Sequence, residues 1–131
     1  MKQLDSIESM SRMRRWIHLS LRLLWDTTPT ILIIGAQKSG TTSLHNILAS
    51  HDELSAPLWR KEIQFFERYR KISLIKKLYL RAHFPMDRLQ KFESSPNNLY
   101  FKHVPELVKS VNPNMRMIVI LREPEERAKS H

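Results

Sequence analysis

The sequence predicts an α/β fold, a parallel sheet flanked by helices, and three observations lead to it. Two short, β-branched, continuously apolar runs stand far apart, at Thr30-Ile31-Leu32-Ile33-Ile34 and at Met117-Ile118-Val119-Ile120-Leu121. Such runs mark strands buried on both faces of a parallel sheet. The first leads directly into a glycine-bounded loop, Gly35 to Gly40, and then into a helical stretch, Thr41 to Ala49. Helical patterns around residues 70–82 and 104–111 occupy the long connection between the strands. Strand, loop, helix, long connection, strand is the grammar of this fold class.

The chain opens with a helical pattern over residues 1–27. Met13, Trp16, Ile17, Leu21 and Leu24 recur at three- and four-residue steps beside Arg12, Arg14, Arg15 and Arg22. A basic amphipathic helix of this kind can make weak peripheral contact with a membrane. Its apolar stripe is expected instead to pack on the rest of the protein. Asp26-Thr27-Thr28-Pro29 ends the pattern, since proline disfavours helix for itself and its predecessor. Residues 1–29 therefore read as helix and linker, and residues 30–131 as the α/β domain. Asn112-Pro113-Asn114 supplies the turn into the second strand.

Composition excludes several classes. With 131 residues, 41% hydrophobic and 27% charged, the chain reads as one soluble globular domain. Its apolar runs are too short for a transmembrane helix, and Met1 to Asp5 do not begin a secretory signal. The expected location is the cytoplasm. The absence of cysteine rules out disulfides, thiolate metal sites and cysteine nucleophiles. The six histidines show no metal-ligand spacing, so no metal is expected.

Charge points toward an anion. Lys and Arg number 22 against 13 Asp and Glu, leaving a formal +9. Residues 60–92 alone carry ten basic residues against three acidic ones. That field favours an anionic partner. A non-catalytic basic module for nucleic acid is one reading of it, but no nucleic-acid motif is present, and no nucleic-acid partner is expected.

The loop Gly35-Ala36-Gln37-Lys38-Ser39-Gly40 and the helix start Thr41-Thr42-Ser43 carry the chemistry. N–H groups at a helix start have no intrahelical partner, and the helix dipole is positive there. Lys38 adds a charge and the three hydroxyl residues add donors, making a site for a phosphate-like anion. Gly35 and Gly40 have the spacing of the nucleotide-triphosphatase loop G-x-x-x-x-G-K-[ST], yet Thr41 stands where its lysine should be. The second strand also ends in Arg122 rather than a Mg-binding acid. A P-loop kinase or NTPase is therefore the alternative reading, not the leading one.

Gly35-Ala36-Gln37-Lys38-Ser39-Gly40-Thr41-Thr42-Ser43-Leu44 resembles the 5′-phosphosulfate loop of sulfotransferases that use 3′-phosphoadenosine 5′-phosphosulfate (PAPS). The likeness is to the heparan-sulfate-type and related bacterial group. Leu58-Trp59-Arg60-Lys61-Glu62-Ile63-Gln64-Phe65-Phe66 resembles that family's K-E-[IV]-[HQ]-F-F segment, whose glutamate is the general base. Phe92-Glu93-Ser94-Ser95-Pro96-Asn97-Asn98 is similar to its E-x-[ST]-P-x-Y segment. Two departures stand out: Ser94 where glycan-modifying members often have lysine, and Asn98 where tyrosine is expected. Leu121-Arg122-Glu123-Pro124 through Arg127, Ser130 and His131 is similar to the 3′-phosphate segment L-R-x-P-x-x-R-x-x-S-[HY].

The resemblance implies a P-loop-like sheet and a PAPS-dependent sulfotransferase acting on a hydroxyl or amine, with small molecules and carbohydrate as acceptor classes. It implies that Lys38, Ser39, Gly40, Thr41, Thr42 and Ser43 bind the 5′-phosphosulfate, with Lys38 also stabilising the leaving oxygen. Glu62 would be the base, while Arg122 and Ser130 would hold the 3′-phosphate. Members of the family continue well beyond the 3′-phosphate segment. The resemblance therefore implies that residues 30–131 are the N-terminal part of such a domain, a fragment with little activity alone.

Overall fold

The computed structural model describes residues 24–87 and 89–129, the side chain of Arg127 apart, with positions 14, 17, 20 and 21 before them. Element order is β1 (Ile31–Gly35), α1 (Thr41–Ala49), β2 (Leu54–Ser55), α2 (Phe65–Arg68) and α3 (Leu74–Ala82). β3 (Gln90–Ser94), a 3₁₀ turn (Pro96–Tyr100), α4 (Val104–Val111), β4 (Arg116–Val119) and α5 (Pro124–Lys129) complete it.

The four strands form one sheet in the order β2-β3-β1-β4, and every pairing is parallel. Parallel neighbours require crossovers, which the helices supply. β1 lies between β3 and β4, with Leu32 opposite Glu93 on one side and Met117 on the other. The helical expectations around 70–82 and 104–111 correspond to α3 and α4. Ser73 caps α3 by accepting from the Lys76 N–H, and Pro105 with Glu106 fills the first turn of α4.

The core is Leu32 of β1 with Ile63, Phe65, Phe66, Leu80, Phe84, Val104, Leu107, Val108 and Met115. It ties α2, α3 and α4 to one side of β1. Burial of these side chains, about 1.5–3 kcal/mol for each large one, is what holds the short α2 in place.

One expectation is corrected and one strand is added. β4 is not buried on both faces: Met117, Val119 and Leu121 are all exposed, because β1 is its only sheet neighbour among the described residues. β3 is a strand where the sequence showed no strand pattern. The expected N-terminal helix lies mostly outside the described residues, Met13 and Trp16 of its stripe among them; of the stripe, Ile17, Leu21 and Leu24 are described and exposed. The indole of Trp25 does reach the domain, donating to the Asp87 carbonyl at 3.1 Å. No helix among the described residues is long and apolar enough to cross a membrane.

Candidate functional site

The site lies at the carboxyl ends of β1 and β3, where open α/β sheets hold ligands. Gly35 ends β1 with φ 153°, and a Cβ there would stand 2.9 Å from the Pro96 carbonyl oxygen and 3.0 Å from Leu99 Cβ. Only glycine lets the 3₁₀ turn approach this closely. Gly40, at φ 92°, turns the chain into α1. Lys38 is also left-handed, at φ 60°. This conformation is uncommon for a side-chain-bearing residue, and such backbone strain concentrates at functional sites.

The N-cap of α1 is Gly40, so no side chain closes the helix start. Its first N–H groups are left for a ligand or water. Thr41 and Ser39 are buried while Thr42 and Ser43 are exposed. The Ser39 hydroxyl is buried and finds no partner among the described residues.

Glu62 approaches from the coil before α2. Gln37, Lys38, Thr41, Thr42, Lys61, Glu62 and Pro96 line one cleft of about 260 Å³. The loop and the K-E segment, some 20 residues apart in sequence, thus meet in one space. Lys61 is the residue that sequence reasoning left out of the site. Its Nζ donates to Thr42 Oγ1 at 2.7 Å and lies 3.4 Å from Glu62 Oε1, so it joins the two halves of the cleft. Its position beside the glutamate was the available signal.

Behind the cleft is a buried polar cluster at the end of β3. Glu93 is fully buried, and its Oε1 accepts from the Ile63 N–H at 3.1 Å and from the Ser95 hydroxyl. Ser95 Oγ in turn accepts from the Gln64 N–H at 3.1 Å, and Gln64 is itself left-handed at φ 56°. Burial pushes the Glu93 carboxyl up to about 7, opposed by the Ser95 and Ile63 hydrogen bonds and reinforced by the negative charge of Glu67 and Glu62. Ser94 Oγ pairs with His45 Nδ1 of α1 at 2.8 Å, and burial lowers the affinity of His45 for a proton.

The 3₁₀ turn adds a second tie. Gln37 Nε2 donates to Asn97 Oδ1, and Asn97 Nδ2 donates to Glu67 Oε2 at 3.4 Å. Burial raises the Glu67 pKa, which the Asn97 bond partly offsets. Asn98, standing where the resembled segment has tyrosine, is buried with neither amide atom partnered among the described residues.

The remaining expected residues are not brought into the cleft. Arg122 follows β4 at the same end of the sheet, since the Ile120 N–H and C=O bond Gly35 and Ala36 at 2.8 Å. Its guanidinium pairs with Glu126 at 3.0 Å and does not line the cleft. Ser39, Gly40 and Ser43 do not line it either, and Ser130 lies outside the described residues.

A sulfotransferase-domain family model matches residues 28–131. The chain belongs to this family. It is 33% identical over 113 residues to the human bifunctional heparan sulfate N-deacetylase/N-sulfotransferase 3, covering 80% of this chain and 13% of that protein. It is 31% identical over 102 residues to the mouse heparan sulfate glucosamine 3-O-sulfotransferase 5, covering 76% of this chain and 29% of that one. The chain thus spans less than a third of the length of these curated relatives. Among solved structures, a sulfotransferase from Alicyclobacillus acidocaldarius shares the fold, with a TM-score of 0.64 at 24% identity. That likeness covers 78% of this chain and 47% of the bacterial one. The parallel, P-loop-like sheet flanked by helices is the fold of the sulfotransferase domain.

Proposed function

We propose that this sulfotransferase domain binds PAPS in the cleft between the β1–α1 loop and the Lys61-Glu62 segment, and serves transfer of its sulfuryl group to a hydroxyl or amine of a carbohydrate acceptor. The carrying observation is that one cleft is lined by Lys38, Thr41 and Thr42 together with Lys61 and Glu62. The names of the relatives, which act on heparan sulfate, support the carbohydrate class.

The residues present fit such an anionic donor. The uncapped start of α1 and the unpartnered Ser39 hydroxyl are donors in need of acceptors, and Lys38 and Lys61 add positive charge to the cleft. PAPS, when bound, supplies a sulfuryl group joined to a phosphate leaving group. Lys38 and the first amides of α1 would hold the 5′-phosphosulfate end of the donor and stabilise negative charge there. Lys61 holds Thr42 and adds positive charge beside Glu62. Glu62 accepts the proton of the acceptor hydroxyl or amine as the new bond to sulfur forms. Arg122 and Ser130 are assigned the 3′-phosphate, Arg122 because its planar fork grips two phosphate oxygens and it follows β4 at the same sheet end.

Calorimetry tests the reading. Adenosine 3′,5′-bisphosphate should bind without Mg²⁺ and more tightly than ATP; tighter, Mg-dependent ATP binding would favour a P-loop NTPase and overturn it. In any form of the protein that turns over PAPS, Glu62→Gln should leave bisphosphate affinity nearly intact and lower kcat by roughly a hundredfold or more.

A further inference from the structure

Glu62 sits in coil, and no helix or strand fixes it. The two residues after it are held instead by hydrogen bonds from β3. The Ile63 N–H donates to Glu93 Oε1, and the Gln64 N–H donates to Ser95 Oγ, which itself donates to the same Glu93 oxygen. One carboxylate oxygen therefore ties down two successive amides directly after Glu62. β3 is also fastened to the loop-bearing elements: Leu32 of β1 is in register with Glu93, and the Ser95 N–H donates to the Ile33 carbonyl at 3.1 Å. His45 of α1 bonds Ser94. The end of β3 is thus a common anchor for the loop that carries Lys38 and the segment that carries Glu62.

We propose that Glu93 is a positioning residue: through Ile63 and, by way of Ser95, Gln64, its buried carboxyl sets where Glu62 stands in the cleft relative to Lys38. It does not line the cleft and acts on the backbone after Glu62, directly at Ile63 and by way of the Ser95 hydroxyl at Gln64. Its significance for transfer rests on the reading of Glu62 as base. The geometry requires one acceptor oxygen at this place. Glu93 Oε2 has no partner among the described residues, so a proton taken up there leaves Oε1 free to accept both bonds. The brace works in either protonation state. Glutamine preserves the same acceptor, whereas alanine does not.

Amide hydrogen exchange on this chain, read residue by residue, tests the inference with lysine labelling as a second readout. Glu93→Ala should speed exchange at Ile63 and Gln64 by at least roughly tenfold and raise the labelling of Lys61 severalfold. Exchange in β1 and labelling of Lys38 should stay as in the parent, and Glu93→Gln should restore the parent pattern. Should the alanine variant fail to fold, Ser95→Ala removes the Gln64 arm alone and should speed exchange at Gln64 more than at Ile63. Unchanged exchange at both amides, or a loss spread evenly through β1 and β3, would overturn the proposal. Failure of the sulfotransferase reading looks different: the parent would bind no adenosine 3′,5′-bisphosphate while the exchange pattern of the variants stood.

Discussion

β1 has two sheet neighbours, and they are built on opposite plans. On one side β3 reads as polar, Gln90-Lys91-Phe92-Glu93-Ser94, yet all but its first residue is buried. On the other side β4 reads as apolar, Arg116-Met117-Ile118-Val119, yet Arg116, Met117 and Val119 are exposed. Burial here follows the partners each polar group finds. Lys91 meets Asp87, Glu93 meets Ser95 and the Ile63 amide, and Ser94 meets His45. A polar strand can lie in the interior when most of its polar groups find partners, here all but Glu93 Oε2, because the cost of burying polar groups falls when they are hydrogen-bonded. The lesson is that on the β3 side a buried side-chain network fixes the Glu62 segment, while on the β4 side the strand end is held to β1 by the Ile120 backbone bonds and the Arg122–Glu126 ion pair lies exposed.

The hardest test of that contrast is to cut the same kind of group from both neighbours. Phe92 and Met117 stand opposite adjacent residues of β1, Ile31 and Leu32. Phe92 is fully buried, packed 5.0 Å from the His45 ring, whereas Met117 is 53% exposed. Phe92→Ala should cost about 3–5 kcal/mol in urea unfolding. Met117→Ala should stay within about 0.5 kcal/mol. Comparable losses would show that the two strands carry the fold equally.

The pH dependence of stability sharpens the same point through Glu93. Burial raises its folded-state pKa from the ordinary carboxyl value of 4.5 to about 7. The native state therefore keeps a proton that the unfolded chain has released. The resulting contribution is fully present below about pH 4.5 and is lost as pH rises to about 7. At 1.36 kcal/mol per unit the swing is about 3 kcal/mol. Denaturant melts at pH 5 and pH 8 should show a difference that shrinks by that order in Glu93→Gln. An identical pH profile in parent and variant would mean that Glu93 ionises as freely as a surface acid.

On the loop, Lys38→Ala should weaken adenosine 3′,5′-bisphosphate binding at least tenfold, or about 1.4 kcal/mol or more. Both residues carry a Cβ, so the left-handed backbone at φ 60° is no better suited to one than to the other. The change is then read as lost charge rather than altered loop strain. Unchanged affinity by calorimetry would remove Lys38 from the anion site.

The same contrast explains what the sequence disclosed. The loop was legible because its constraints are local: glycines at 35 and 40, a lysine between, hydroxyls at the helix start. α3 and α4 were legible as helical patterns around residues 70–82 and 104–111, and the structure adds that Ser73 caps the one and Pro105 stands in the first turn of the other. Glu62 was legible by likeness to a known segment, and its arrival beside Lys38 is a tertiary fact. β3 was hidden because the partners that make Lys91 and Glu93 buriable are Asp87, Ser95 and the Ile63 amide, and Ile63 lies 30 residues away. β4 misled for the converse reason: an apolar run signals capacity for burial, not the presence of something to bury it. Asn98 has no account from either direction, since its buried amide finds no partner.

The smallest expected effect lies at the far end of β4 and completes the comparison. Lys91 and Arg122 are both cations paired with an acid four residues away, yet their surroundings differ. Lys91 is 3% exposed and also donates to the Leu89 carbonyl at 2.9 Å, so its charge is held by several acceptors. Arg122 and Glu126 are 41% and 60% exposed, so water and salt screen their attraction. Exposed pairs of this kind contribute little, because ordering two long side chains offsets most of the Coulomb gain. Glu126→Gln should therefore shift unfolding stability by less than about 0.5 kcal/mol, with any effect fading as salt is raised. Urea melts at low and high ionic strength would check this directly. A loss well above 1 kcal/mol, insensitive to salt, would mean that the Arg122 end is fastened as firmly as the end of β3, and that the cleft is built from both sides.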